Sequence, residues 1–258
     1  MAFVELGRSQ RLEDIYIIPE PEIYVDAIRC DPEALAETKR LEQIFNEMKN
    51  KENETNDKCW KVSYLNVRSI KSLDGHRDDV SNDQLLMRSD ILGLGETWLE
   101  DDHVANFTGF DGYFATFGKG KGVAGYNKMS LVSKPLIITS NSYSAIQFIT
   151  SEFHVIFLYL SQGYKQNSVN DLLNTWIQPN TPTALLGDMN EDIFRNSSIQ
   201  NFLASKGFSQ LINEPTCSTG SVLDHIYVND LMSKKRPFSK LETVYFSDHD
   251  VISLYVPK

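Results

Sequence analysis

From residue 59 onward, short apolar runs repeatedly end on a polar side chain of one chemical kind. Residues 60–65 alternate and close at Asn66, residues 90–95 close at Glu96, and residues 183–186 close at Gly187-Asp188-Met189-Asn190. Residues 223–228 open with Asp224-His225, and Ser247-Asp248-His249-Asp250 stands directly before the run 251–256. Runs this short, rich in branched and aromatic residues and bounded by turn formers, read as strands. A strand end holds its side chain rigidly while leaving it open to solvent and substrate, so these positions are the candidates for chemistry.

The intervening sequence completes a mixed α/β reading. Residues 122–126 are Gly-rich and strand-like, and 145–149 with 153–160 form a hairpin joined near Ser151-Glu152. Leu172, Leu173 and Trp176 give a helix its apolar side, a second short helix with Phe202 and Leu203 stops at Gly207, and residues 241–246 read as the penultimate strand. The first fifty residues have another texture. An apolar stretch at 15–18 and a Pro19-Glu20-Pro21 turn precede Asp31-Pro32, an N-cap acceptor followed by proline at the first helical position. In the helix that follows, Leu41, Ile44, Phe45 and Met48 fall on one face. Residues 51–58 carry no apolar side chain, so nothing there offsets the entropy of ordering, and they read as a linker.

Composition excludes several classes. Twenty-five basic against 35 acidic residues give a net charge of -10, which argues against binding nucleic acid by bulk attraction. Any polyanionic partner needs a local device. At 41% hydrophobic and 11% aromatic residues the chain has ample material for a core. No apolar run approaches the ~20 residues that cross a bilayer, and the start lacks a secretory pattern, so the expectation is a soluble intracellular protein without a membrane partner. Cys30, Cys59 and Cys217 are scattered, suggesting neither a disulfide framework nor structural zinc.

The five stations offer carboxylate, amide and imidazole groups, the ligand set of a hard divalent cation together with an acid or base. Oxygen ligands favour magnesium or manganese over zinc, and a cation that keeps several waters suits phosphate chemistry. Taken singly, each station has an ordinary reading. Glu96 fits a solvated strand end, Asn66 a turn, Gly187-Asp188-Met189-Asn190 an Asx turn, and His225 a satisfied surface imidazole. An imidazole flanked by acids, as in Ser247-Asp248-His249-Asp250, is harder to assign to structure alone.

In order, Tyr64-Leu65-Asn66, Leu94-Gly95-Glu96-Thr97-Trp98, Leu186-Gly187-Asp188-Met189-Asn190, Leu223-Asp224-His225 and Ser247-Asp248-His249 resemble the motifs of the endonuclease/exonuclease/phosphatase superfamily, over residues 59–258. The wording around Glu96 and Asn66 resembles the endonuclease domains of mobile elements. The resemblance implies a four-layer α/β sandwich, two packed mixed sheets flanked by helices, preceded here by a short strand-helix appendage. It implies a magnesium-dependent endonuclease, with manganese as the alternative ion, that nicks DNA as a monomer in the nucleus. Glu96 would hold the metal with Asn66 and Asp248 in or beside its shell. His249, paired with Asp224, would contact the scissile phosphate or transfer a proton. Asp188 would orient and deprotonate water, Asn190 would bond a phosphate oxygen, and Tyr159 stands where the family has a phosphate-contacting tyrosine. Tyr159 also alternates with Phe153, Val155 and Phe157 as the face of an ordinary buried strand. Arg68 stands where many repair-type relatives carry a second acid, and Leu160 where element relatives often carry a basic residue.

DNA would need local basic groups: Lys119 and Lys121 on a Gly-rich turn with Lys128 beside it, and the run Lys234-Lys235-Arg236. Such runs are also commonly solvated loops. The stretch from Phe3 to Ile17 resembles the last motif of helicases in Helitron-type elements, which makes residues 1–50 a helicase remnant. The chain has no phosphate-cradling G-x-x-x-x-G-K-[ST], so no nucleotide triphosphate is expected to bind it. Two readings stand beside DNA nicking: another phosphodiesterase or phosphatase of the same fold, and an inactive element relic that only binds.

Overall fold

A computed structural model describes residues 58–71, 75–100, 104–128, 134–195 and 197–258, together with 39, 40 and 43. The chain divides into two units, Met1–Glu54 and Thr55–Lys258. The apolar stretch at 15–18, the helix start at Asp31-Pro32, the apolar face Leu41 to Met48 and nearly all of the linker lie outside the described residues.

The second unit contains two six-stranded mixed sheets. The first holds β1 (Cys59–Asn66), β2 (Ile91–Gly95), β3 (Phe110–Ala115), β4 (Val123–Lys128), β11 (Phe238–Glu242) and β12 (Val251–Pro257), in the order β11-β12-β1-β2-β4-β3. The other holds β5 (Leu136–Thr139), β6 (Tyr143–Ile149), β7 (His154–Leu160), β8 (Thr183–Asp188), β9 (Phe208–Gln210) and β10 (Asp224–Asn229), in the order β5-β6-β7-β8-β10-β9. Alternation puts Val62, Tyr64, Ile252 and Leu254 from the first sheet into one core with Phe148, Phe157, Leu186 and Ile226 from the second.

Helices cover the outer faces. On the first sheet, Leu65, Leu92 and Leu94 pack with Val80 of α1 (Arg77–Asn82) and Leu86 of α2 (Gln84–Met87). On the second, Leu158, Leu185 and Tyr227 pack with α3 (Gln166–Trp176), through Val169, Leu172, Leu173 and Trp176, and with α4 (Ser198–Ser205), through Ile199 and Leu203. Each such fully buried aliphatic side chain contributes ~1.5–3 kcal/mol. The four layers are those expected. A short α5 (Asp230–Ser233) follows β10, and Gly207, at φ 77°, ends α4 as its position suggested. Among the described residues no helix is long and apolar enough to cross a membrane.

The expected strand at 241–246 is displaced. β11 spans Phe238–Glu242, because the ladder with β12 pairs Phe238 with Tyr255 and Glu242 with Val251. Val244 and Phe246 instead bury on the outer face, where Phe246 packs against His76. β3, β5 and β9 lie outside the expected strands, since all three carry partly exposed, weakly alternating sequences at sheet edges.

Strand direction gathers the five stations. β1 and β2 are parallel, so Asn66 and Gly95 lie side by side at the same end. β10 runs antiparallel to β8, placing Asp224 directly opposite Asp188, and β12 runs antiparallel to β1, so the loop before Val251 meets the end of β1.

Candidate active site

Two glycines permit the approach of these strand ends. A Cβ at Gly187 would overlap the Leu158 carbonyl oxygen on the neighbouring strand, and one at Gly95 would overlap the hydroxyl of Tyr64. The loops beyond are held in strained backbone. Five of the six described non-glycine residues with positive φ (Arg68, Ser69, Glu96, Trp98 and Asn190) follow β1, β2 or β8. At ~1–3 kcal/mol each, such conformations persist only where surrounding bonds over-determine them, and here they cluster at one site.

Those bonds are specific. Asn66 Nδ2 donates to Asp188 Oδ2 at 2.7 Å and to Glu96 Oε1 at 3.1 Å, joining three stations through one amide. Asn190 N–H donates to Asp188 Oδ1 at 2.9 Å, and its side-chain amide donates to the Leu160 carbonyl at 2.7 Å. His249 Nδ1 donates to Asp224 Oδ2 at 2.6 Å. Ligand atoms of Asp188, Asp224 and His249 lie within 4.8 Å of one another. Ser247 Oγ donates to the Asn66 carbonyl at 2.7 Å and accepts from His249 N–H at 3.1 Å, stitching the last motif to the first.

Not every expected residue joins the cluster in the same way. Asp248 is bound by Arg68 Nη1 at 2.8 Å. The Tyr159 hydroxyl donates to the Gly120 carbonyl at 3.0 Å, which ties the Lys119–Lys121 turn to the site's edge. Lys121 and Lys119 lie over the rings of Phe117 and Trp98. Lys128 ends β4 at the opposite end of the sheet, paired with Asp90 at 3.6 Å. Lys234, Lys235 and Arg236 follow α5 beyond the far end of β10, where Lys235 meets Glu152 at 3.1 Å. The antiparallel direction of β4 and β10 carries both basic groups away from the five stations. His225 is buried rather than on the surface, between the Val222 carbonyl and the Tyr227 hydroxyl, each 3.0 Å away.

Two supporting residues had no sequence signal. Thr216 Oγ1 accepts from Leu223 N–H and Asp224 N–H, at 3.1 and 3.0 Å, while its carbonyl accepts from Asp250 N–H at 2.8 Å. One buried threonine thereby fixes both halves of the Asp224–His249 pair. Glu191 accepts from Ser197, Ser198 and Tyr164 hydroxyls at 2.7, 2.7 and 2.8 Å, bracing the loop after Asn190 on α4. Burial would raise its carboxyl, but these hydrogen bonds outweigh it and hold it down.

Electrostatics separate two groups. Burial, and next the charge of Asp224, push the Asp188 carboxyl up to about 7. Burial alone would lower His249, yet Asp224, by charge and hydrogen bond, then Asp188 and Asp248, hold it at about 10. A base poised near neutrality therefore stands beside an imidazolium. The acid-rich cluster also fits a divalent cation. Asp224 Oδ1 is buried without a hydrogen-bond partner, and Glu96 and Asp188 each turn a carboxylate oxygen, a hard-ion ligand type, to the same Asn66 amide.

Face-packed sheets carrying such a cluster at one edge define a class of metal-dependent phosphodiesterases and related hydrolases. The chain belongs to the Endonuclease/Exonuclease/phosphatase family, whose sequence profile matches residues 63–249. Its fold is similar to that of the endonuclease domain of TRAS1, a telomere-specific non-LTR retrotransposon (TM-score 0.57, 16% identity, 77% of this chain and 98% of that one). It is similar also to the AP endonuclease LMAP from Leishmania major (TM-score 0.59, 13% identity, 78% and 89%). A third similar structure is the 3' phosphatase NExo from Neisseria bound to product DNA hairpin (TM-score 0.58, 17% identity, 77% and 100%). No curated protein sequence matches the chain.

Proposed function

We propose that residues 59–258 form a magnesium-dependent endonuclease that nicks DNA. The observation that carries this reading is the Asn66 amide joining Glu96 to Asp188, with the Asp224–His249 pair within reach of the same carboxylate. Glu96 and Asn66 would hold magnesium, or manganese, with Asp248 beside them, and the ion would neutralise charge developing on a phosphodiester. Asp188, wholly buried and fixed by Asn66 and Asn190, orients a water and accepts its proton near neutral pH. His249, held in one orientation and in its charged form by Asp224, keeps Nε2–H as a charged donor for a phosphate oxygen or a proton for the leaving oxygen. Lys119 and Lys121 are the backbone contacts this placement favours, because the Tyr159–Gly120 bond brings their turn to the site.

Purified full-length chain is expected to relax supercoiled plasmid with magnesium and to stop when a chelator is added. Asp188→Ala and His249→Ala should abolish nicking, and equal nicking by either variant would sink the reading. The same proposal takes residues 1–50 as the end of a Helitron-type helicase, residues 51–58 as a linker and the whole as a nuclear, monomeric product of a mobile element. Limited proteolysis within 51–58 and sedimentation of the intact chain test the organisation and the oligomeric state.

A further inference from the structure

The most exposed large apolar side chains among those described are Tyr245 at 84% and Phe194 at 64%, ahead of Val104, Ile137, Leu136 and Phe238. Both rings belong to loops that carry site residues. Phe194 follows Asn190 by four positions, and Tyr245 precedes Asp248 by three. Leaving aromatic area in water is unfavourable, and two such rings on the loops that carry site residues call for an occupant.

Each ring is presented by a fixed backbone. Asp192 Oδ1 accepts from Phe194 N–H at 3.2 Å and from Val222 N–H at 3.3 Å, while Ile193 N–H donates to the Val222 carbonyl at 3.4 Å. Phe194 is thus anchored to the chain two residues ahead of Asp224. Tyr245 donates its hydroxyl to Asp79 Oδ1 at 2.7 Å and meets buried Phe246 edge-on at 5.2 Å, so its ring is positioned while remaining open. Arg195, next to Phe194 in sequence, is 87% exposed and makes only a loose 3.8 Å approach to Asp192, leaving an exposed cation on the same loop.

Resting on the nucleic-acid reading above, we propose that Phe194 and Tyr245 are base-stacking rings and that the substrate presents unstacked bases next to the scissile phosphate, as a single strand, flap or junction. In a continuous duplex every base face is covered by its neighbours, and uncovering one costs a few kcal/mol that an unpaired base does not require. A net charge of -10 leaves this chain little general attraction for duplex backbone, and stacking on rings is the grip that charge does not oppose.

Fluorescence anisotropy of the full-length chain, in calcium, with a labelled ~15-nucleotide oligothymidylate and a blunt duplex of equal length tests the assignment. The wild type should bind the single strand at least about tenfold more tightly than the duplex, and Phe194→Ala and Tyr245→Ala should each weaken single-strand binding by about fivefold or more, with duplex binding changed by less than about twofold. Tyr245→Phe, which keeps the ring, should restore the single-strand affinity. Equal affinity of the wild type for both nucleic acids, or unchanged binding by both alanine variants, overturns the inference while plasmid nicking still supports the nuclease. A wild type that hydrolyses bis(4-nitrophenyl) phosphate with magnesium yet binds neither nucleic acid overturns the nucleic-acid reading and this inference together.

Discussion

His249 Nδ1 and Asp224 Oδ2 lie 2.6 Å apart, with side-chain exposures of 10% and 0%, forming a buried ion pair at the meeting point of both sheets. Asp224 Oδ1 has no hydrogen-bond partner, so His249 supplies the main compensation for this carboxylate in the metal-free chain. Removing one member of a buried pair strands the other's charge.

His249→Ala should therefore destabilise the metal-free protein by ~3–5 kcal/mol, and added magnesium should recover part of the loss. Urea unfolding in chelator and in magnesium measures both; a loss below about 1 kcal/mol in chelator contradicts the pairing.

The pair also sets a pH window. A histidine whose folded value stands at about 10, above its ordinary value of 6.5, contributes stability fully present below 6.5 and lost as pH rises through about 10. Thermal melts in chelator should decline across that interval, and above about pH 7, where Asp188 has finished titrating, the decline belongs to His249. Asp224→Asn removes the partner that raises His249 most and should flatten the decline; an unchanged slope would refute the assignment.

Asp188 retains its proton to about 7 in the metal-free site. A cation bound beside this carboxyl favours its charged form, so magnesium affinity should fall below pH 7, with proton uptake by buffer accompanying binding at about pH 6. Calorimetry in buffers of different ionisation enthalpy reads the protons directly. Binding heat independent of buffer at that pH would contradict a protonated Asp188.

Arg68 and Asp248 are 55% and 38% exposed, so their 2.8 Å pair adds little to stability. Arg68→Ala should change unfolding free energy by less than about 1 kcal/mol, yet release a carboxylate toward the cation. Manganese affinity, followed by electron paramagnetic resonance, should rise several-fold at low salt. Weaker binding in the variant would show that Arg68 supports the ion rather than competing with it.

Gly187→Ala places a Cβ against the Leu158 carbonyl where β7 and β8 pair in parallel. Separating two packed strands at the base of Asp188 should cost ~1–3 kcal/mol or more and disturb metal binding as well. A melting temperature equal to wild type would mean the strands separate freely.

The motifs around Asn66, Glu96, Asp188, Asp224 and His249 were legible because each sits where a period-two apolar run meets a polar residue. β3, β5 and β9 were not, because partly exposed edge strands carry little alternation. The displaced β11 shows the same limit from another side: Val244 and Phe246 are apolar because they bury on the outer face, Phe246 against His76, outside the ladder. Thr216 and Glu191 gave no signal, since a lone threonine or glutamate in a loop looks alike whether it braces a site or faces water.

The sequence by itself determined which side chains stand at strand ends and that their chemistry suits a hard cation and a phosphate ester. Only the tertiary structure decided which of those ends meet. Parallel pairing of β1 with β2 and antiparallel pairing of β8 with β10 bring Asn66, Glu96, Asp188 and Asp224 together, while the direction of β4 and β10 sends Lys128 and the Lys234-Lys235-Arg236 run to the other end. Local pattern records burial and period, but strand direction is fixed by packing between residues far apart in the chain, so no short stretch of sequence contains it.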